Sequence, residues 1–361
     1  MTSATQDSIV GRVGIGGVGT APFFAISLAA AAVFYGLLAF VGNEYLYFAG
    51  YVVLQFVVMA TAWNILGGYC GYVNFGSAAF FAMGAYATVC VYEISTELSK
   101  TFAGQILAAI PPPVLVPLLI IFAGAIAGLV GLGMGYLTLR LRGVFFSIAT
   151  LALSVVLQTL VINWDFVGGA RGAYVIRPNE FPLLPGGFIA YLFVMMLLLV
   201  VVALTVARSI ERSRLGFGFA AIRDDEIAAE AAGVPTLRLK LVATTISGAL
   251  MGMAGAPFPY YIGYLQPSSA FGFEYAVNAI AMPMVGGTQS WFGPLIGAVL
   301  LGSFQQWATV SISSVLNLLI VGLVLIFFVI VAPNGILGLF GDWRRRRRLA
   351  KQARLSGGDK Q

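Results

Sequence analysis

The sequence predicts an all-α polytopic membrane protein with about 8 to 10 transmembrane helices, some of them broken or re-entrant. Of its 361 residues, 60% are hydrophobic and only 9% are charged, and the mean hydropathy is +0.94. An ordinary soluble domain is about 25% charged, so water would not keep a surface of this composition in solution. Long apolar runs, separated by short polar segments, complete the pattern.

Apolar runs recur along the chain at the length of roughly 20 residues that a helix needs to cross a bilayer. The stretch VGGTQSWFGPLIG, residues 285–297, lies within one of them, and its glycines and proline divide that run into two pieces. Irregular backbone at membrane depth requires protein or a water-filled cavity around it. If the divided run forms two spans, the predicted count is about ten. If it is re-entrant, the predicted count is about eight. The runs cover residues 22–42, 46–66, 75–94, 113–139, 143–163, 187–207, 241–263, 275–306 and 314–332.

The basic residues predict the orientation. If the N-terminus is inside and the spans alternate, the 140–142 loop, the 208–240 segment and the C-terminal tail all face the cytoplasm, as the excess of Lys and Arg in cytoplasmic loops requires. Of the 20 basic residues, Lys100, Arg171 and Arg177 remain outside. The predicted organisation is a cytoplasmic tail at 1–21, a membrane domain at 22–340 and a basic cytoplasmic tail at 341–361.

Sites for chemistry are scarce. The chain has no histidine, which removes the commonest general base and metal ligand, and Cys70 and Cys90 show no metal-ligand spacing. The letters GIGGVG at 14–19 match a dinucleotide fingerprint but lack its βαβ context, so they indicate a linker. Few charges fall within the spans, Glu274 at the mouth of one being an exception. We therefore expect no enzyme activity, cofactor or metal in this chain, and an energy source outside it.

The charged segment GFAAIRDDEIAAEAAGVPTLRLK, residues 218–240, interrupts this apolar pattern. Asp224 or Asp225 can cap a helix N-terminus, the alanines continue the helix, and Gly233 with the Val-Pro after it ends the helix. The pattern predicts a short cytoplasmic helix held by a span on each side. Such a helix is either a solvated loop or a docking element for a cytoplasmic protein.

A helix face of small residues lies in the fourth run. Gly124, Gly128, Gly131 and Gly135 are spaced by four, three and four residues, which permits a close approach of two helix backbones. Packing within this subunit and contact with another subunit both explain the spacing.

Several motifs resemble a known family. EAAG, residues 230–233, is similar to the core of the EAA signature by which permeases of ABC importers dock their ATPases. The segment RSRLGFGFAAIRDDEIAAEAAGV around it resembles, more specifically, the LivM-type permease subunit of the branched-chain amino acid ABC importer family. Further blocks resemble the same family in its order: GYCGYVNFGSAAFFAMGAYA (68–87), LRLRGVFFSIATLALS (139–154), VGGTQSWFGPLIGAVLLG (285–302) and LIFFVIVAPNGILGL (325–339).

The resemblance implies a machine of several subunits in the bacterial inner membrane. A second, LivH-type permease would complete the pore, two ABC ATPase subunits would bind the ATP, and a periplasmic binding protein would deliver the substrate, with no role for nucleic acid. The residues predicted to dock the ATPase are Asp225, Glu226, Glu230, Ala231, Ala232 and Gly233.

The predicted translocation path rests on polar residues beside the glycine-rich breaks, since unpaired polar groups at membrane depth are costly. They are Asn74, Ser77, Gln289 and Ser290. The alternative is that they only satisfy the broken backbone. Ser77 and Gln289 depart from the family's usual histidine and glycine, which bears on the substrate.

Two other functions remain open at this stage. The same machine could carry urea, short amides or other small carboxylates, and the pore residues do not separate these from branched-chain amino acids. A self-sufficient secondary transporter or channel predicts inverted repeats and intramembrane coupling charges, and the sequence shows no such charges.

Overall fold

The computed structural model describes residues 19–97, 105, 110–138, 140–178, 181, 184, 186–311, 322–323, 326 and 335–338. Most of the predicted run 314–332, most of the N-terminal tail and all of the C-terminal tail lie outside these residues. Within the described part, the predicted all-α fold class is confirmed.

Thirteen α-helices occur in the described part of the chain, with two short strands and a π-helical segment, Ile65–Tyr69, between α2 and α3. The helices are α1 Thr20–Val41, α2 Glu44–Asn64, α3 Ser77–Glu97, α4 Pro112–Thr138, α5 Val144–Ile162, α6 Gly187–Glu211, α7 Arg214–Asp224, α8 Glu226–Ala231, α9 Thr236–Gly255, α10 Phe258–Ile262, α11 Pro267–Ala270, α12 Phe273–Gly286 and α13 Gly293–Ser311. The strands are β1 Ala173–Tyr174 and β2 Tyr264–Leu265.

Seven of the described helical segments are long and apolar enough to cross a membrane. Each coincides to within a few residues with one of the first seven predicted runs. They are Thr20–Val41, Glu44–Tyr69, Ser77–Thr96, Pro112–Thr138, Val144–Ile162, Gly187–Glu211 and Thr236–Ile262. The broken run divides as predicted, into the short α12 and the longer α13.

The ends of α1 and α2 follow from local chemistry. Gly42 ends α1 in the left-handed conformation, at φ 67°, and donates its N–H to the Leu38 carbonyl, a role in which glycine has no side-chain penalty. The Asn43 side chain then accepts a hydrogen bond from the Tyr45 N–H at 2.9 Å and caps α2. The sharp turn between two spans is therefore encoded by two adjacent residues.

The predicted glycine face packs within this subunit, against α9. A Cβ added to Gly131 would lie 3.0 Å from the Thr244 carbonyl oxygen, and one added to Gly128 would lie 3.3 Å from the Ala249 Cβ. From the opposite side, a Cβ on Gly252 would lie 2.8 Å from the Ala123 carbonyl oxygen. Small residues on both helices thus allow the backbones to approach closely. This contact explains the spacing without a second subunit.

The two ends of the bundle carry different connections. At one end β1 and β2 pair antiparallel, with Ala173 opposite Leu265; we call it the strand end. At the other end, the connections α4–α5, α6–α9 and α12–α13 come together through ion pairs and hydrogen bonds. We call this second end the ion-pair end, and the charged segment of the sequence lies there.

Candidate functional site

The charged segment folds as two helices that meet at Asp225. The carboxylate of Asp225 accepts hydrogen bonds from the N–H groups of Ile227, at 2.9 Å, and Ala228, at 3.0 Å, which confirms an Asp cap at this position. The backbone of Asp225 is extended there, at φ −160°. Gly233, at φ 83°, ends α8 as predicted. The predicted short helix is therefore α8, and a second helix, α7, precedes it and meets it at a corner.

Glu226 points into the protein rather than away from it. Its Oε1 lies 2.7 Å from the Nζ of Lys240, whose side chain is only 3% exposed, and its Oε2 accepts a hydrogen bond from the Tyr72 hydroxyl. Lys240 also donates to the Tyr72 hydroxyl at 3.1 Å, and the guanidinium of Arg142 lies 3.7 Å from Oε1. The carboxylate predicted to dock a partner therefore ties α8 to α9 and to the segment before α3.

The pKa of the Glu226 carboxyl reflects these contacts. Burial raises it, but hydrogen bonds from Lys240 and Tyr72, together with the positive charges of Lys240 and Arg142, hold the pKa below its ordinary value. The group is therefore ionised at neutral pH, as the ion pair requires.

Glu230, one turn further along α8, joins two more parts of the same end. It accepts from the Nη2 of Arg142 at 3.0 Å and from the Thr236 hydroxyl at 2.7 Å. Arg142 belongs to the α4–α5 connection and Thr236 begins α9. A displacement of α8 would therefore act on the α4–α5 connection and on the start of α9.

Two large apolar side chains are exposed at this corner, among charged ones. The side chain of Phe217 on α7 is 69% exposed and that of Ile227 on α8 is 67% exposed, and the predicted docking residues Ala231, Ala232 and Gly233 are exposed beside them. The sequence by itself does not single out five residues of this site, namely Phe217, Ile227, Tyr72, Arg142 and Lys240. The signal in the sequence for Phe217 and Ile227 is that each is a large apolar residue inside a charged segment.

Gln289 and Ser290 lie at the ion-pair end and not at the middle of the bundle. The next residue, Trp291, donates its N–H to Oε2 of Glu211, the last residue of α6, at 2.8 Å. The 14 residues of α12 extend about 21 Å, so the glycine-rich stretch after it forms the turn into α13 rather than a break at depth. Gln289 is exposed and Ser290 is partly exposed.

Asn74 and Ser77 lie deeper but face inward. The Oδ1 of Asn74 accepts from the Gly76 N–H at 2.8 Å, and the Asn74 carbonyl accepts from the Trp63 indole at 2.9 Å. Both Asn74 and Ser77 are buried, and among the described residues the Asn74 Nδ2 and the Ser77 Oγ have no hydrogen-bond partner. No hydrogen bond in this part of the chain joins them to Gln289 or Ser290. The described residues therefore show two pairs that no hydrogen bond connects.

Exposure alternates along the segment 71–76. Tyr72, Asn74 and Gly76 are buried, whereas Val73 is exposed and Phe75 is partly exposed. The segment follows the π-helical segment that ends at Tyr69, a type of distortion often found at functional sites. Its outward surface is formed by Val73 and Phe75, which sequence analysis did not select.

The comparisons with known proteins agree on one family. A family model described as "Branched-chain amino acid transport system / permease component" matches residues 44–329. The high-affinity branched-chain amino acid transport system permease protein LivM of Salmonella typhimurium is 27% identical over 306 residues, covering 78% of this chain and 67% of that protein. The probable branched-chain amino acid transport permease protein LivH of Methanocaldococcus jannaschii is 28% identical over 283 residues, covering 74% and 85%.

A relative named for a different cargo also matches. The autoinducer 2 import system permease protein LsrC of an Enterobacter species is 29% identical over 295 residues, covering 77% of each chain. No solved structure matches the chain.

Proposed function

Because the chain belongs to the family of permease components of branched-chain amino acid transport systems, we propose that it forms the translocation path of an ABC importer together with a second permease. The resemblance drawn from its motifs is confirmed. Branched-chain amino acids are the proposed cargo, delivered by a periplasmic binding protein, and ATP is bound by two partner ATPases. The chain is a multi-pass membrane protein, and we place it in the bacterial inner membrane with the ion-pair end in the cytoplasm.

The observation that carries the docking role is the corner between α7 and α8. It exposes two large aromatic or aliphatic side chains, Phe217 and Ile227, of the kind that lie in protein–protein contacts. The corner is held to the bundle by Glu226, which is buried against Lys240, and by Glu230, which is exposed and pairs with Arg142. We assign the exposed apolar side chains to contact with the ATPase and the two carboxylates to transmission of its movement. Asp225 shapes the corner, and Ala231, Ala232 and Gly233 lie within the contact.

Substitutions at the corner and at the strand end test this assignment. Phe217→Lys and Ile227→Lys should abolish co-purification of the ATPases while the chain still inserts into the membrane. Tyr174→Lys, at a residue 70% exposed at the strand end, is the matched control and should retain them. Normal recovery of the ATPases with both loop variants would place docking elsewhere.

Reconstitution tests the energy source. The chain alone in liposomes should not concentrate leucine, isoleucine or valine under a proton or sodium gradient, because few charges within its spans could couple ions to transport. Addition of the second permease, the ATPases, the binding protein and ATP should start uptake. Gradient-driven accumulation by the isolated chain would favour a secondary transporter. ATP-driven uptake of another small solute in place of these amino acids would retain the machine and change its cargo.

A further inference from the structure

Two breaks in helical structure meet inside the bundle. The first is the segment 71–76, and the second is the Gly272 junction between α11 and α12. The rings of Phe75 and Phe273, one from each break, stack with their centroids 6.3 Å apart and their planes at 14°. The two residues are separated by almost 200 positions in sequence, so only the fold brings them together.

The first break lies away from the ion-pair end, towards the middle of the bundle. The Phe75 N–H donates to the hydroxyl of Thr150 at 3.2 Å, and Thr150 is six residues, or about 9 Å, along α5 from its start. A Cβ added to Gly76 would meet the terminal methyl of Met134, one turn before the end of α4. The outward residues of this break therefore lie at membrane depth.

The second break lies deeper, nearer the middle of the bundle. Tyr275 lies two residues after Phe273, and its ring stacks on the ring of Phe81 with the centroids 4.6 Å apart. Phe81 lies one turn into α3. Tyr275 also contacts Phe56, in the second half of α2, at 6.3 Å. The first turn of α12 therefore begins inside the bundle, between its two ends.

Residues of both breaks are exposed at the surface of the subunit. Phe273 is 54% exposed, Val73 is 38% exposed, and Glu274 beside Phe273 is exposed as well. Among the described residues Glu274 forms no ion pair. Irregular backbone and a carboxylate at membrane depth are tolerated where they line a water-filled cavity or are covered by protein. An exposed carboxylate at the residue after Phe273 is a costly surface to present to lipid.

We propose that Phe75, Phe273 and Glu274 form a contact site in the translocation path for an amino acid with an apolar side chain. The inference rests on the proposed function. The stacked rings offer an apolar surface to the aliphatic side chain, and the Glu274 carboxylate offers an opposite charge to the α-ammonium group. Val73 extends the apolar surface on the side of the first break. The site is an addition to the four polar residues predicted from sequence, which stay a prediction.

Transport by the complete complex tests the site. Each amino acid is supplied at saturation, and substrate-stimulated ATP hydrolysis is measured in the same proteoliposomes. Phe273→Ala should lower the flux of leucine, isoleucine and valine on the order of tenfold, the scale on which apolar contacts discriminate substrates, and should lower alanine flux less. ATP hydrolysis should stay within about twofold, since the α8 contacts that couple it are untouched. Phe273→Tyr should restore the flux.

The carboxylate needs its own variant. Glu274→Gln should lower the flux of every amino acid by a similar factor, since all of them carry the ammonium group, while Phe75→Ala should reproduce the selectivity of Phe273→Ala. Phe145→Ala, at an exposed ring on α5, is the control and should leave transport unchanged. Unchanged branched-chain flux in both Phe273→Ala and Phe75→Ala, or a loss equal for all substrates and matched by ATP hydrolysis, would overturn the site.

Access from water is a separate measurement. In a background lacking Cys70 and Cys90, Phe273→Cys should react with a charged thiol reagent in the assembled complex, and Leu129→Cys on the exposed face of α4 should not. Absence of reaction at position 273 in every state of the ATP cycle would mean that protein or lipid covers the pair, and would overturn the proposal. Failure of the wild-type complex to move any branched-chain amino acid would instead refute the proposed function.

Discussion

The Nζ of Lys240 lies 2.7 Å from Oε1 of Glu226, and the lysine side chain is almost completely buried where α9 begins. A carboxylate from the charged loop is thereby held against the end of a membrane-spanning helix. Two buried charges stabilise the fold only as a pair, because either one left alone retains its desolvation cost.

Lys240→Met should therefore destabilise the chain, but by less than the roughly 3 to 5 kcal/mol of a buried charge left without any partner, because Glu226 keeps its contacts with Arg142 and Tyr72. The double variant Glu226→Gln/Lys240→Met should recover part of the loss, because no charge then remains buried without its partner. Thermal unfolding of the purified complex in detergent measures both.

A surface charge in the same loop provides the control. Asp224 pairs with Arg223 at 3.2 Å, but its side chain is 73% exposed, so Asp224→Asn should cost at most about 1 kcal/mol. An equal effect of Asp224→Asn and Lys240→Met would contradict the special role of the buried pair.

The same pair predicts a pH dependence. The pKa of Glu226 is lowered in the folded protein, so its stabilising contribution is present above the unfolded value of about 4.3 and is lost as the pH falls through the lower folded value. The difference in melting temperature between the wild type and Glu226→Gln should be constant from about pH 6 to pH 8 and should shrink below about pH 4. A difference that instead grows towards low pH would give the wrong sign.

Arg208 and Phe23 attach α1 to the rest of the bundle. The Arg208 guanidinium lies 4.0 Å from the centroid of the Phe23 ring and 5.7 Å from that of Trp291, and Phe23 and Ala31 are the buried residues of α1. Phe23→Ala should loosen this helix and cost about 2 kcal/mol or more, as expected for a desolvated cation–π contact together with lost packing.

Proteolysis and chemical crosslinking between α1 and α6 report the loosening. Phe24→Ala, at the adjacent and more exposed ring, is the matched control and should change neither. Equal sensitivity of the two variants would mean that α1 is held by its general apolarity rather than by the Arg208 contact.

Substitution of a glycine at the α4–α9 contact and of a glycine on the open side of α4 should change the stability of the fold in different ways. Gly252→Leu places a side chain 2.8 Å from the Ala123 carbonyl oxygen, so we expect a loss of at least about 1 to 3 kcal/mol from forced separation of the helices. Gly133→Ala, where an added Cβ meets no described atom within 4 Å, should be neutral or stabilise the helix by up to about 1 kcal/mol. Thermal unfolding distinguishes the two, and a destabilising Gly133→Ala would indicate a partner on that face.

The sequence by itself determined the fold class, seven of the spans and the ends of the charged helix. Apolar runs such as 187–207 are readable because bilayer thickness imposes one length on every crossing helix. The stop at Gly233 and the cap at Asp225 are readable because capping satisfies backbone groups within a few residues of the cap. Each of these features depends on local chemistry, and each was predicted close to its observed place.

The tertiary structure alone decided which way the functional side chains face. Glu226 and Glu230 belong to one loop of similar composition, yet Lys240, Tyr72 and Arg142 draw the first of them inward. The pairing of Phe75 with Phe273 likewise depends on contacts far apart in the chain. The composition of a segment and the spacing of its apolar residues indicate how apolar each face is. They do not indicate which distant segment covers that face, because this depends on the packing of all the helices together.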